Sequence, residues 1–329
     1  MKEKNIPWGV YPVILVTTLF WALGHPLGRI ILRTVHAMQL GSINLVVGFL
    51  VLLAYLGATG RLRSVLRLPA RDLLASLALG VIGFALYQLL TFSALSRIPA
   101  SMNAVLVATN IIMIAPLASL FLKEKIGWGR AVAILTAFGG VVLVTFNQGF
   151  AAQAGIDLAG CLFSLLAALS FAVYTVLGKS VVSRNDPLIV TALALFAGAV
   201  LLSAFTAATV GFGGTARADG LTWLFMILLG VTMIGFAYPA WFACLKLLPA
   251  SRVSIFIYVT PVFAVVLSFL ILNERFSWLF YLGGALVLGS VVLSTAALQR
   301  KGLTPLSARN ARQAKMEGVL RRTSAPRAR

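Results

Sequence analysis

The sequence predicts an all-α integral membrane protein of ten transmembrane helices, arranged as two inverted five-helix repeats. Three observations carry that reading. Of 329 residues, 60% are hydrophobic and 11% charged, and the mean hydropathy is +0.99, far from the composition of a water-soluble domain. Apolar stretches long enough to cross a bilayer recur from Tyr11 to Leu298. The second half also repeats the first at a constant offset of 150 residues, without a gap.

One helix per apolar stretch of about 20 residues places spans near 12–32, 38–58, 71–93, 100–121 and 130–147 in the first half. The second half holds spans near 156–178, 187–210, 221–245, 251–272 and 277–298. Strands are excluded because backbone groups in lipid must pair within a helix or a closed barrel, and the short alternating segments of a barrel do not occur. Matched positions fix the register of the repeat. Gly28 corresponds to Gly178, Leu79-Gly80-Val81 to Leu229-Gly230-Val231, Pro99-Ala100-Ser101 to Pro249-Ala250-Ser251, and Glu124 to Glu274. A repeat of this length is a whole bundle rather than a solenoid unit. The expected organisation is a first repeat over 1–150, a second over 151–298 and a basic tail over 299–329.

Five spans per repeat put the second copy into the membrane upside down, the inverted architecture of many secondary transporters. With the N-terminus inside, cytoplasmic segments hold 22 of the 27 Lys and Arg residues, and 13 against 5 once the tail is set aside. Positive-inside counting therefore predicts both termini in the cytoplasm. Much of the net charge of +19 lies in a tail too polar to pack, which fits a surface of anionic lipid headgroups rather than nucleic acid.

Soluble-enzyme chemistry is not expected. A Gly-x-x-x-x-Gly-Lys-Ser/Thr loop is missing from the sequence, which argues against a built-in ATPase. Two histidines and eight scattered acidic residues do not cluster as metal ligands do, so neither a metal nor a cofactor is expected. Glu124 and Glu274 stand at the ends of spans 4 and 9 beside Lys125 and Arg275. They read as interfacial carboxylates or as gating groups.

Uncharged polar and aromatic residues inside the spans mark a candidate substrate-binding set: Trp21, His25, Gln88, Thr91, Asn103, Asn110, Tyr174, Tyr238, Trp241 and Tyr258. Gln88 and Thr91 are three apart on one face, and Tyr238 and Trp241 are their repeat mates. Asn103 and Asn110 are two turns apart on span 4. Lipid excludes buried amides, so these faces should point inward, either bonding helix to helix or lining a cavity for a small polar ligand. His25 could also carry a proton. Pro26, Pro116, Pro239 and Pro261 fall inside spans and are expected to bend them.

Certain motifs carry a family resemblance: Trp21-Ala-Leu-Gly in span 1, Ala94-Leu95 leading to Pro99-Ala100-Ser101, and Lys123-Glu124-Lys125. In the second copy they are Leu245 leading to Pro249-Ala250-Ser251, and Pro261 followed thirteen residues later by Glu274-Arg275. Over residues 10–298 the chain resembles the EamA family of the drug/metabolite transporter superfamily, with its aromatic amino-acid exporter branch (YddG-like) as the nearest likeness. The first copy departs from the pattern with Ile111 where the second has Pro261. The resemblance implies ten helices, a central cavity from spans 1, 3, 4, 6, 8 and 9, and export of small metabolites. An exporter of amino acids working by alternating access is the expectation. A drug or nucleotide-sugar exporter on the same fold, and a passive channel, are the alternatives.

Overall fold

A computed structural model describes residues 10–122, separate positions between 132 and 143, and residues 157–182, 184–247, 259–274 and 276–302. The first half begins with α1 (Val10–Ile31), α2 (Ala37–Ala58) and α3 (Ala70–Gly80). α3 passes through a π-helical segment, Val81–Leu86, straight into α4 (Tyr87–Leu95). Span 4 is split into α5 (Ala100–Val107) and α6 (Asn110–Leu122). The second half holds α7 (Leu158–Val182), α8 (Pro187–Thr209), the single turn α9 (Gly213–Ala216) and α10 (Gly220–Leu229). α10 runs through a second π segment, Gly230–Ala237, into α11 (Tyr238–Leu247). α12 (Val259–Leu272) and α13 (Trp278–Gly302) close the described chain. All of this structure is helical, and six helices are long and apolar enough to cross a membrane.

The interruption of span 4 is not at its proline. Pro116 lies inside α6, whereas the helix stops at Ala108 and Thr109, where Thr109 Oγ1 donates to the Leu106 carbonyl at 2.7 Å. Spans 3 and 8 instead carry their irregularity as π segments at repeat-equivalent positions. A π turn widens the helix by one residue and leaves backbone groups to be re-paired, which suits a segment packed against other helices rather than lipid.

Packing between the halves follows the 150-residue correspondence. α1 packs on α12 as α7 packs on α6, and α2 packs on the second π segment as α8 packs on the first. Small residues make these approaches possible. A Cβ on Gly80 would stand 2.1 Å from the Ala194 carbonyl oxygen, and one on Gly198 2.8 Å from Phe84 Cβ. At the equivalent places, a Cβ on Gly230 would stand 2.6 Å from Val47 Cβ, and one on Gly48 2.3 Å from Ile234 Cγ2. The core fills this junction with Leu40, Leu45, Phe84, Leu195, Met226 and Ile234, all fully buried. The outer faces are apolar in the other sense: Leu74, Leu120, Leu135 and Leu270 are each at least 66% exposed, as lipid-facing side chains must be.

Polar ties sit at the ends of the bundle. Asp72 accepts from Arg184 at 3.1 Å and from Asn185 Nδ2 at 2.8 Å, joining α3 to the turn after α7. Arg97 meets Asp157 at 3.5 Å. Asp219 caps α10 by accepting from Thr222 N–H at 2.9 Å. The Thr222 side chain and backbone hold its carboxyl below the usual carboxylate range. The cap therefore persists at neutral pH and is lost only as acid protonates that carboxylate.

Candidate functional site

A cavity opens where α1, α4, α5, α6, α7, α11, α12 and the second π segment converge. Its wall carries Trp21, Gly24 and His25 from α1, and Tyr87, Gln88, Thr91 and Phe92 from α4. Ala104 and Val107 of α5, Ala108, and Asn110 of α6 complete the first-half side. Phe171, Met233, Tyr238, Thr260 and Pro261 come from the second half. Two features of local structure place them. The π segment before α4 sets the phase of Tyr87, Gln88 and Thr91, and the break at Ala108-Thr109 starts α6 at Asn110 on the cavity wall.

The aromatic side of the wall is a connected cluster. Trp21 packs on Tyr238 at 5.4 Å between ring centroids and on Trp241 at 5.4 Å. Tyr238 meets Phe84 at 4.9 Å, and Phe84 meets Tyr174 at 5.5 Å. Tyr87 meets Phe171 at 5.6 Å. Tilted and edge-on pairs are the arrangements aromatic rings favour.

The polar side is under-satisfied. Both amide atoms of Gln88, Trp21 Nε1, Asn110 Oδ1 and Thr260 Oγ1 are buried without a hydrogen-bond partner among the described residues. Each such group costs about 1–3 kcal/mol when left unpaired. Donors and acceptors both occur, and none of the described lining residues is Asp, Glu, Lys or Arg. The wall thus offers both hydrogen-bonding polarities.

His25 belongs to a different arrangement. Ser164 Oγ donates to Asn103 Oδ1 at 2.8 Å, and Asn103 Nδ2 donates to His25 Nδ1 at 3.4 Å. An amide NH₂ can only donate, so His25 Nδ1 accepts and the ring proton sits on Nε2 in this geometry. The chain ties α7, α5 and α1 together across the two halves.

Of the residues singled out in the sequence, Trp21, His25, Gln88, Thr91, Asn110 and Tyr238 share the cavity wall. Asn103, Tyr174 and Trp241 are buried behind it, Asn103 through the His25 bond and the two aromatics through ring packing. Tyr258 lies outside the described residues. Tyr87, Phe92, Met233 and Thr260 were not singled out. Their aromatic and apolar character resembles that of any span, and only the π segments and the chain crossing bring them inward. Asn44 is a further omission: it is fully buried on α2 with no partner for its amide among the described residues. Its polarity in an apolar span was the available signal. Among the described residues no group of three or more His, Cys, Asp or Glu could hold a metal.

Two stretches of the chain, residues 8–146 and 158–296, each match the EamA-like transporter family. The chain belongs to that family. The two EamA stretches are offset by the same 150 residues as the sequence repeat and the paired contacts. An uncharacterized transporter of Archaeoglobus fulgidus is 26% identical over 84% of this chain and 95% of its own length. The uncharacterized transporter YdfC of Bacillus subtilis is 26% identical over 88% of this chain and 92% of its own. A probable terminal-alkyne amino-acid exporter of Streptantibioticus cattleyicolor is 26% identical over 93% and 99%. A solved crystal structure shares the fold with a TM-score of 0.64, at 20% identity, over 89% of this EamA chain and 98% of that one. The chain is thus a membrane-spanning member of a transporter family.

Proposed function

We propose that this protein exports amino acids, aromatic or otherwise neutral, or similar small metabolites across the bacterial inner membrane by alternating access. In this reading ten spans form two inverted repeats, 1–150 and 151–298, with both termini and the tail 299–329 in the cytoplasm. Trp21, His25, Gln88, Thr91, Asn110 and Tyr238 contact the substrate, and Asn103, Tyr174 and Trp241 support them; Tyr258 is kept in the set from the sequence alone. The observation that carries the proposal is the set of unpartnered buried donors and acceptors on Trp21, Gln88, Asn110 and Thr260, set among rings and without a formal charge. A zwitterion with an apolar or aromatic side chain answers both halves of that wall. The amino-acid exporter among the relatives supports the same class.

Transport in this account is facilitated exchange. Among the described residues of the cavity wall none is acidic, and the bond of His25 to Asn103 serves helix packing. The test is counterflow into proteoliposomes preloaded with a panel of amino acids, with and without a pH gradient. Saturable uptake stimulated by internal neutral amino acids is expected. His25→Gln should retain exchange, and a pH gradient should change wild-type accumulation little. Flux that neither saturates nor responds to internal substrate would make the protein a passive channel. Accumulation driven by a pH gradient in wild type and lost in His25→Gln would make His25 a proton carrier.

A further inference from the structure

Three helix ends meet just beyond the cavity, and two charged side chains hold them together. α12 stops where Asn273 turns into the left-handed region at φ 53°, with its N–H on the Phe269 carbonyl at 3.1 Å and the Glu274 N–H on the Ser268 carbonyl at 3.4 Å, an αL helix ending. That turn carries Glu274 onto the N-terminus of α5. Its Oε1 accepts from Ala100 N–H at 2.8 Å, and its Oε2 from Ser101 N–H at 3.2 Å and Ser101 Oγ at 2.5 Å. These amides have no partner within their own helix, and the helix end favours negative charge. Beside them Arg29 of α1 donates to the Leu95 carbonyl at the end of α4 and lies in the field of the Glu274 carboxylate.

The position of this cluster relates it to the cavity. Arg29 is one turn beyond His25, Leu95 three residues beyond Phe92, and Ser101 three residues before Ala104. Every one of those three neighbours lines the wall. Beside the wall, Ala22, Ala104 and Ala264 pack α1, α5 and α12 together. Leu95, Ile98 and Ala100 are wholly inaccessible. The bonds also cross from one repeat to the other, since Glu274 and Ala100 are 174 residues apart. Glu274 itself is only partly buried, so water can compete for its oxygens and release it. The residue types Glu124 and Pro249-Ala250-Ser251 recur at the same offset in the sequence and lie outside the described residues.

We propose that Glu274 is a latch: its grip on the N-terminus of α5 holds one mouth of the cavity shut, and its release opens that mouth. The proposal rests on the transport reading above, because it needs two mouths that open separately. A merely structural cap would stabilise α5 without making access depend on the side of approach.

The experiment uses the full chain in proteoliposomes, with Cys161 and Cys244 replaced by Ala and Thr91→Cys as reporter on the cavity wall. A charged, membrane-impermeant methanethiosulfonate reagent is added from one face and then from the other. In the parent, labelling is expected from the face opposite Glu274. Glu274→Ala should raise the rate from its own face by about tenfold, the order expected for losing a hydrogen bond to a charged group. Glu274→Gln, which keeps the shape, serves if the alanine variant does not fold, and should give a smaller rise on the same face. Unchanged rates on that face, with only a lower melting temperature, would overturn the latch. Labelling absent from both faces in every protein would instead overturn the cavity reading, and the latch with it.

Discussion

Gly80→Ala is expected to destabilise the protein by at least about 2 kcal/mol, within the usual cost of overpacking, and to depress the yield of folded protein. The new Cβ would stand 2.1 Å from the Ala194 oxygen and 2.9 Å from its Cα. Those atoms are backbone on α8 and cannot turn aside as a side chain can. Helices in lipid gain no hydrophobic association energy and depend on close packing and interhelical bonds. Separating α8 from the π segment after Gly80 therefore removes contacts that nothing replaces. Gly284→Ala is the control, because a Cβ there meets nothing within 4 Å. In a helix it should be neutral or gain up to about 1 kcal/mol from propensity. Thermal unfolding in detergent measures both, and equal melting temperatures for the two variants would contradict the packing described.

Gln88→Leu should separate stability from function. Gln88 is fully buried, and neither atom of its amide has a partner among the described residues. Leucine fills similar space without the polar atoms, and the desolvation cost of about 1–3 kcal/mol is no longer incurred. The variant should melt no lower than wild type, and counterflow should fall at least about tenfold, the factor that 1.4 kcal/mol of lost substrate binding represents. Sites that keep a costly feature for function commonly gain stability when it is removed. Wild-type transport in a stabilised Gln88→Leu protein would reduce Gln88 to a packing residue.

Much of this organisation could be read from the chain. Composition and the length of the apolar stretches give a membrane-spanning helical protein, and the matches from Gly28/Gly178 to Glu124/Glu274 give the register that the paired contacts follow. Polarity in apolar spans also pointed to Trp21, Gln88, Asn110 and Tyr238. What was not legible depends on contacts between distant segments. The π segments were marked in sequence only by Leu79-Gly80-Val81 and Leu229-Gly230-Val231, which read equally well as ordinary close-packing glycines. Prolines suggested where helices would bend, yet span 4 stops at Ala108-Thr109 with Pro116 intact inside α6. Asn103 and Asn110 share a face by spacing, but the stop between them and the reach of Ser164 send Asn103 to His25 and leave Asn110 on the cavity wall. Glu274 had two readings in the sequence. Its bonds to Ala100 and Ser101, across the two repeats, needed the folded chain.

Substrate protection of single cysteines tests most directly whether this cavity is the path. Cysteines at Trp21, Gln88, Asn110 and Tyr238, introduced one at a time, should react with a hydrophilic thiol reagent, and a neutral amino acid active in counterflow should slow each reaction. Cysteines at Leu135, 70% exposed on the outer surface, and at Val287, buried against Gly140, should show no such protection. Reaction at all four cavity positions, slowed by substrate, is the predicted result. Uniform inertness at those four, or rates that substrate leaves unchanged, would contradict it.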